Sequence, residues 1–330
     1  MRVWLLVFGG TIAGMPACAE PHRVLPPPQP SCPEVATSLV PPTAGAAVTT
    51  SAEVPAPRTT PGGVELPAAD WQVLKLDTLA IHFPKQLSDE AERLREYAES
   101  SRSSLAKHFT GRDTDQLMKD PVVCDLYLVD TVIKVAGPGR SHSRTSSGVA
   151  GKPALCEIIT MPTSRYPADQ RCCTRVGAPF DAESDRRSFV HEYAGVVLGR
   201  MNKSNAGWDF YRGPAWFRQG FEEYLAVRYG SELSRTVTLP AYRSVVAQDP
   251  ARVGFFSVAN DYTDGAVLLD FMHSEFGDEK VAAVLVSKEE DFGKAVEKEL
   301  GVSPRQFLDR WQKWAAKLKV TPLPGKPTGE

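Results

Sequence analysis

The chain has 330 residues, 42% of them hydrophobic and 24% charged, with a formal net charge of −2. That length allows one or two folded domains, and the near-neutral balance gives no reason to expect a nucleic-acid surface and no sign of acidic substrates.

The first residues have the layout of an export signal: Arg2 precedes an apolar run from Val3 to Met15, which gives way to small residues. The run is too short for a spanning helix, so no transmembrane helix is expected in the mature chain. Ala17-Cys18-Ala19 fits cleavage after Ala19, giving a signal over 1–19; a lipid anchor on Cys18 is the alternative, ranked behind ordinary export. Both place the mature protein outside the cytoplasm, whether secreted, periplasmic or envelope-associated. Residues 20–70 are rich in Pro, Ala, Thr and Ser and read as a disordered spacer, because they bury too little to offset the entropy of ordering. In an oxidising compartment Cys124, Cys156, Cys172 and Cys173 are candidates for one or two disulfides, with three pairings open. Adjacent Cys172-Cys173 and the lack of a C-x-x-C pair argue against a thiolate zinc site.

A folded domain is expected over 71–320, with a flexible tail at 321–330. Its predicted class is α+β: a mixed β-sheet with one long helix, then a mainly helical half. The alternation in "TLAIHFP" (78–84) predicts a half-buried strand. Ser88 offers an N-cap, Asp89 and Glu90 suit the positive helix end, and Leu94, Tyr97, Ala98, Leu105 and Phe109 form an apolar stripe. "VVCDLYLVD" (122–130) and "ALCEIITMP" (154–162) predict further strands. The glycine- and serine-rich "AGPGRSHSRTSSGVAGK" between them reads as a mobile connection, since it lacks the pattern of a phosphate loop. Helices are predicted at 184–201, 213–230, 261–277 and 290–301. A last one starts at Ser303-Pro304-Arg305-Gln306, a capping box with Pro at the first helical position, and carries Phe307, Trp311, Trp314 and Leu318 on one face.

Two stretches carry chemistry. "SFVHEYAGVVLGRMN" (188–202) sets His191 and Glu192 in an apolar helix, the opening of an H-E-x-x-H signature, in which histidines four apart share one helix face and one zinc while the Glu acts as general base. At the second histidine position stands Gly195, which offers no ligand. The second stretch is "PAWFRQGFEEYL" (214–225). Together, in this order, they resemble the zinc peptidases known as gluzincins, the peptidase-MA-like or thermolysin-like group, whose third ligand is a Glu within W-x-x-E-G-x-A-x-Y. Trp216, Gly220 and Tyr224 match that pattern, while Gln219 occupies the ligand place and Glu222 the small-residue place.

The resemblance spans roughly 71–318, is strongest over 185–230, and implies a zincin-like fold. It assigns His191 as the single retained metal ligand and Glu192 as the catalytic base. Tyr262 would be the tyrosine that steadies the oxyanion, with a packed aromatic as the equal alternative. Tyr193, Trp216, Gly220, Glu222, Glu223 and Tyr224 would belong to the cleft or its motif. A catalytic zinc needs three protein ligands, so zinc is not expected to be held, and no other cofactor is implied. Replacement ligands to weigh are Glu222, Glu223, His82, His108, His142 and His273. Gly inside a helix costs about 1 kcal/mol against Ala, so Gly195 marks close approach of another element or of a ligand. The resulting expectation is an exported metallopeptidase-like protein without its metal, binding a peptide or an envelope protein. The alternatives are an active peptidase with atypical ligands and a structural envelope domain.

Overall fold

The computed structural model describes residues 58–77, 79–108, 124–131, 141–146, 155–162, 165 and 184–320. Its class is α+β. Two short strands, β1 (Arg58–Thr59) and β2 (Glu65–Leu66), form an antiparallel hairpin. The sequence reading put these residues in the spacer, yet Thr60 and Leu66 are buried. The main sheet has five strands in the order β3-β4-β5-β7-β6, where β3 is Trp71–Lys75, β4 Leu79–Pro84, β5 Cys124–Leu128, β6 Ser141–Ser146 and β7 Leu155–Thr160. β4, β5 and β7 run parallel, and both edge strands are antiparallel to their neighbours.

Two features of this sheet differ from expectation. β4 is not half-buried: Leu79 to Pro84 are all buried, because both faces of the strand are covered. The segment read as a mobile connection contains edge strand β6, so His142 sits in a ladder opposite Ile159. Edge pairing uses backbone groups alone, and a serine- and threonine-rich strand gives little apolar signal of it. Of the candidate disulfide cysteines, Cys124 is buried at the head of β5; the side chains of Cys156, Cys172 and Cys173 lie outside the described residues, as do 1–57, the rest of the 132–154 connection and the 321–330 tail.

Successive residues in the central strands face opposite ways. Leu126, Leu128 and Ile158 enter the main core, whereas Tyr127, Val129 and Ile159 join Leu66 and Met161 in a smaller cluster with Val64 and Trp71 from around the hairpin. The first helix, α1 (Ser88–His108), packs against β4, with Leu94, Ala98 and Leu105 buried. Ser88 is helical and its hydroxyl donates to the Lys85 carbonyl, so it does not act as the expected N-cap; Phe109 lies outside the described residues.

Among the described residues seven further α-helices follow, α2 (Ser184–Asn205), α3 (Ala215–Tyr229), α4 (Leu239–Gln248), α5 (Thr263–Phe276), α6 (Asp278–Leu285), α7 (Phe292–Leu300) and α8 (Pro304–Ala315). α2 packs on α1, on β6 and β7, and on α3. α3 crosses α5 at Gly220 and Gly265, where a Cβ on Gly220 would meet the Gly265 carbonyl carbon at 2.3 Å. Two glycines at the crossing let the backbones touch. At α8 both halves of the predicted capping box form. Phe307 and Trp311 are fully buried against Phe271 of α5. No helix among the described residues is long and apolar enough to cross a membrane.

Candidate functional site

Helix geometry assembles the site from two facing stripes. On α2, Arg187, His191 and Gly195 follow one another at four-residue spacing and share a face; on α3, Gln219, Glu222 and Glu223 do so at spacings of three and four. Packing α2 against α3 brings the stripes together.

The His191 imidazole stands between two carboxylates. Its Nδ1 is 3.1 Å from Glu223 Oε2, and its Nε2 is 3.4 Å from Glu222 Oε2. Glu223 is held further: the Tyr242 hydroxyl donates to Oε1 at 2.7 Å, and Arg187 Nη2 is 3.1 Å from the same oxygen. The Arg187 guanidinium also donates to the Tyr242 hydroxyl, at 3.3 Å. Gln219 donates from Nε2 to Glu222 Oε2 at 2.8 Å. The other Glu222 oxygen fills the space over Gly195, 2.7 Å from where a Cβ on that residue would sit. The Tyr262 ring lies over the imidazole at 5.6 Å between centroids, 19° from parallel.

Charge follows from this arrangement. Burial alone would lower the His191 pKa, but the hydrogen bond to Glu223 and the charges of Glu222, Glu192 and Glu223 outweigh it and raise the value to about 9. Burial raises Glu222 to about 7 against the pull of His191. For Glu223, burial is overcome by Arg187 and by the hydrogen bond and charge of His191, which hold it down near 2. At neutral pH His191 is therefore an imidazolium flanked by acceptors, and Glu223 a carboxylate with three partners.

Gly195 supplies no donor, Gln219 points its N–H at Glu222, and Glu222 and Glu223 approach opposite nitrogens of the ring. The residues present do not fit the three-ligand zinc that the resemblance implies.

The other expected residues are placed as follows. Glu222 and Glu223, weighed as replacement ligands, do reach His191. Glu192 is half-buried beside it. Tyr262 also reaches His191, as an exposed stacking ring. Tyr193, by contrast, is a core side chain, 8% exposed and stacked on Phe189. Trp216 is buried at 1% with its indole N–H on the Phe255 carbonyl, and Tyr224 stacks on His273. His82 pairs with Asp125 on the sheet, while His108 and His273 gather at Asp278. The side chain of His142 lies outside the described residues.

Sequence reading missed Arg187 and Tyr242. Arg187 had a usable signal, one turn before His191; Tyr242 had none, because only the tertiary fold brings α4 to the site.

No family model and no curated protein matches the chain. Among solved structures it is similar to Legionella pneumophila aminopeptidase A in complex with aspartic acid, at 14% identity and a TM-score of 0.43. The match covers 78% of this chain but only 32% of the aminopeptidase, so the chain spans about a third of that protein's length. A likeness this distant carries no argument about activity, and the functional reading rests on the site.

Proposed function

We propose that this is an extracytoplasmic metallopeptidase-like protein of zincin type in which the place of the catalytic zinc has become an internal ion pair, and that it acts by binding a peptide or envelope partner. The observation that carries this reading is the position of Glu222. Its carboxylate fills the space over Gly195, where a second histidine ligand would project, and pairs with the first histidine, His191. The loss of a ligand at 195 and the gain of an acid at 222 thus form one exchange: a side chain leaves α2 and another arrives from α3. The amide at Gln219 fits the same scheme, because it donates to that carboxylate where a second acid would repel it. Export follows from the N-terminal signal pattern. The exposed Tyr262 ring over His191 gives a partner an aromatic surface at the old catalytic place.

One observation favours an active enzyme with atypical ligands: two carboxylates, ligand types themselves, lie within 3.4 Å of His191. The test is to reverse the exchange. The triple variant Gly195→His, Gln219→Glu, Glu222→Ala rebuilds three ligands on two packed helices, and one equivalent of zinc, lost again on adding His191→Gln, is expected from it. The natural chain is expected to hold no zinc at His191 and to cleave no peptide. Zinc in the natural chain that disappears with His191→Gln, together with peptide hydrolysis, would overturn the reading in favour of the enzyme. A correctly folded triple variant without zinc would break the link to the peptidase geometry.

A further inference from the structure

Directly after Glu223, Tyr224 turns to a second cluster of histidines, which the ion pair at His191 does not use. His108 closes α1, His273 lies in the last turn of α5, and Asp278 opens α6. Their side chains are 1%, 4% and 41% exposed, so two buried imidazoles meet one carboxylate that touches solvent. His273 Nδ1 is 2.7 Å from Asp278 Oδ1, and His108 Nδ1 is 3.9 Å from Asp278 Oδ2 and 2.9 Å from the Tyr229 hydroxyl. The two rings stand 5.3 Å apart at 62°, and Tyr224 stacks on His273 at 4.5 Å. One ligand atom from each of the three residues lies within 4.8 Å of the others, a grouping found nowhere else among the described residues.

Two further facts point to an ion. His273 Nε2 is buried and has no hydrogen-bond partner among the described residues, so the polar contact of this ring lies at Nδ1, toward Asp278. Burial, then the neighbouring His273, pulls the His108 pKa down to about 3, and burial likewise lowers that of His273, both toward the neutral form. Buried neutral imidazole beside an anionic carboxylate is the protonation state that a metal requires. Among the described residues, Arg228 is the cation beside this carboxylate. Arg228 Nη2 is 3.5 Å from Asp278 Oδ2, and its partly exposed side chain rests on Tyr224 and Tyr229.

We propose that His108, His273 and Asp278 form a binding site for one divalent first-row transition metal ion, with zinc as the natural choice for two imidazoles and a carboxylate. The ion takes the place of the proton between His273 and Asp278, Arg228 swings outward, and the fourth position is left to water on the exposed side. Bound there, the ion ties the end of α1 to the α5–α6 junction. This inference is independent of the reading of His191.

The experiment uses the full chain without a histidine tag, stripped of metal with a chelator and titrated with Zn²⁺ by calorimetry and with Co²⁺ by visible absorption. One equivalent per chain, a tetrahedral Co²⁺ spectrum and a higher melting temperature with metal are expected. Asp278→Asn should weaken binding at least about tenfold. Arg228→Gln, which removes the competing cation at a partly exposed position, should tighten it, and His191→Gln should leave it unchanged. His273→Gln serves as the ligand deletion, with folding checked by circular dichroism. Absence of saturable binding overturns the proposal, as does binding that survives both Asp278→Asn and His273→Gln, or that is lost with His191→Gln.

Discussion

The carboxylate of Glu222 occupies the place of the side chain that Gly195 lacks: a Cβ on residue 195 would lie 2.7 Å from Glu222 Oε1 and 3.0 Å from Cδ. Ala at a helix interior normally gains about 1 kcal/mol over Gly. Here the gain is expected to reverse, because the obstructing carboxylate is buried and anchored by Gln219 and His191. Gly195→Ala should destabilise the protein by about 1–2 kcal/mol in urea unfolding, in the range of overpacked cores. In the Glu222→Ala background the same change should be neutral or stabilising. A double-mutant cycle with no coupling would mean that the two residues do not share this space.

The charge state of His191 predicts a pH dependence. Its folded pKa, near 9, exceeds the unfolded value of 6.5, so the native state holds the extra proton across that window. Stability from this group is complete below about pH 6.5 and is lost as pH rises through 9, with an upper figure of about 3 kcal/mol. Thermal melts from pH 7 to 9.5 should show this alkaline loss in the natural chain. His191→Gln should flatten it, while lowering stability at pH 7. An equal slope in both proteins would place the titration elsewhere.

What the sequence made legible follows from the range of the forces involved. Local signals, such as the apolar stripe of α1 and the Ser303–Gln306 capping box of α8, identified the helices because periodicity and capping act within a few residues. β6 escaped notice because its strand character comes from pairing with β7 and not from its own serines. At the site, the spacing of His191, Gly195 and Gln219 was readable from two motifs. The occupant of the vacated space was not, since Glu222 reaches it only once α3 lies against α2. Tyr193 was expected to line a cleft, and packing makes it core; Trp216, a match to the motif, is core too.

Glu223 is expected to be the costliest acid of the site to neutralise. It accepts from Tyr242 and lies beside two cations, Arg187 and His191. Glu223→Gln would leave those cations together in a poorly solvated space. A loss of about 3 kcal/mol is expected, the scale for breaking a buried ion pair from one side. Tyr242→Phe removes a single hydrogen bond to a charged group and should cost about 1.5–3 kcal/mol. Glu222→Gln should cost less than either, because burial already favours the protonated form of Glu222, which titrates near 7. Chemical unfolding of the three variants at pH 7 gives the ranking, and Glu222→Gln as the most damaging would contradict the assignment of charges.

The crossing of α3 and α5 supports the whole arrangement, because it sets where Gln219, Glu222 and Glu223 face α2. A Cβ on Gly220 would meet Gly265 at 2.3 Å from the carbonyl carbon and 2.6 Å from Cα, and a Cβ on Gly265 would meet the Trp216 carbonyl oxygen at 2.6 Å. Unlike the Glu222 carboxylate, backbone has no flexible end that can turn aside, so the helices must separate. That separation would loosen the contact of Trp216 and Phe271 with the aromatic cluster around Phe292 and Phe307. Gly220→Ala should therefore cost more than Gly195→Ala, about 3 kcal/mol or more, despite the better helix propensity of alanine. It should also disturb the site from a distance: the alkaline loss of stability assigned to His191 should shrink as α3 moves away from α2. A Gly220→Ala protein as stable as the natural chain would show that the two backbones do not touch at this crossing.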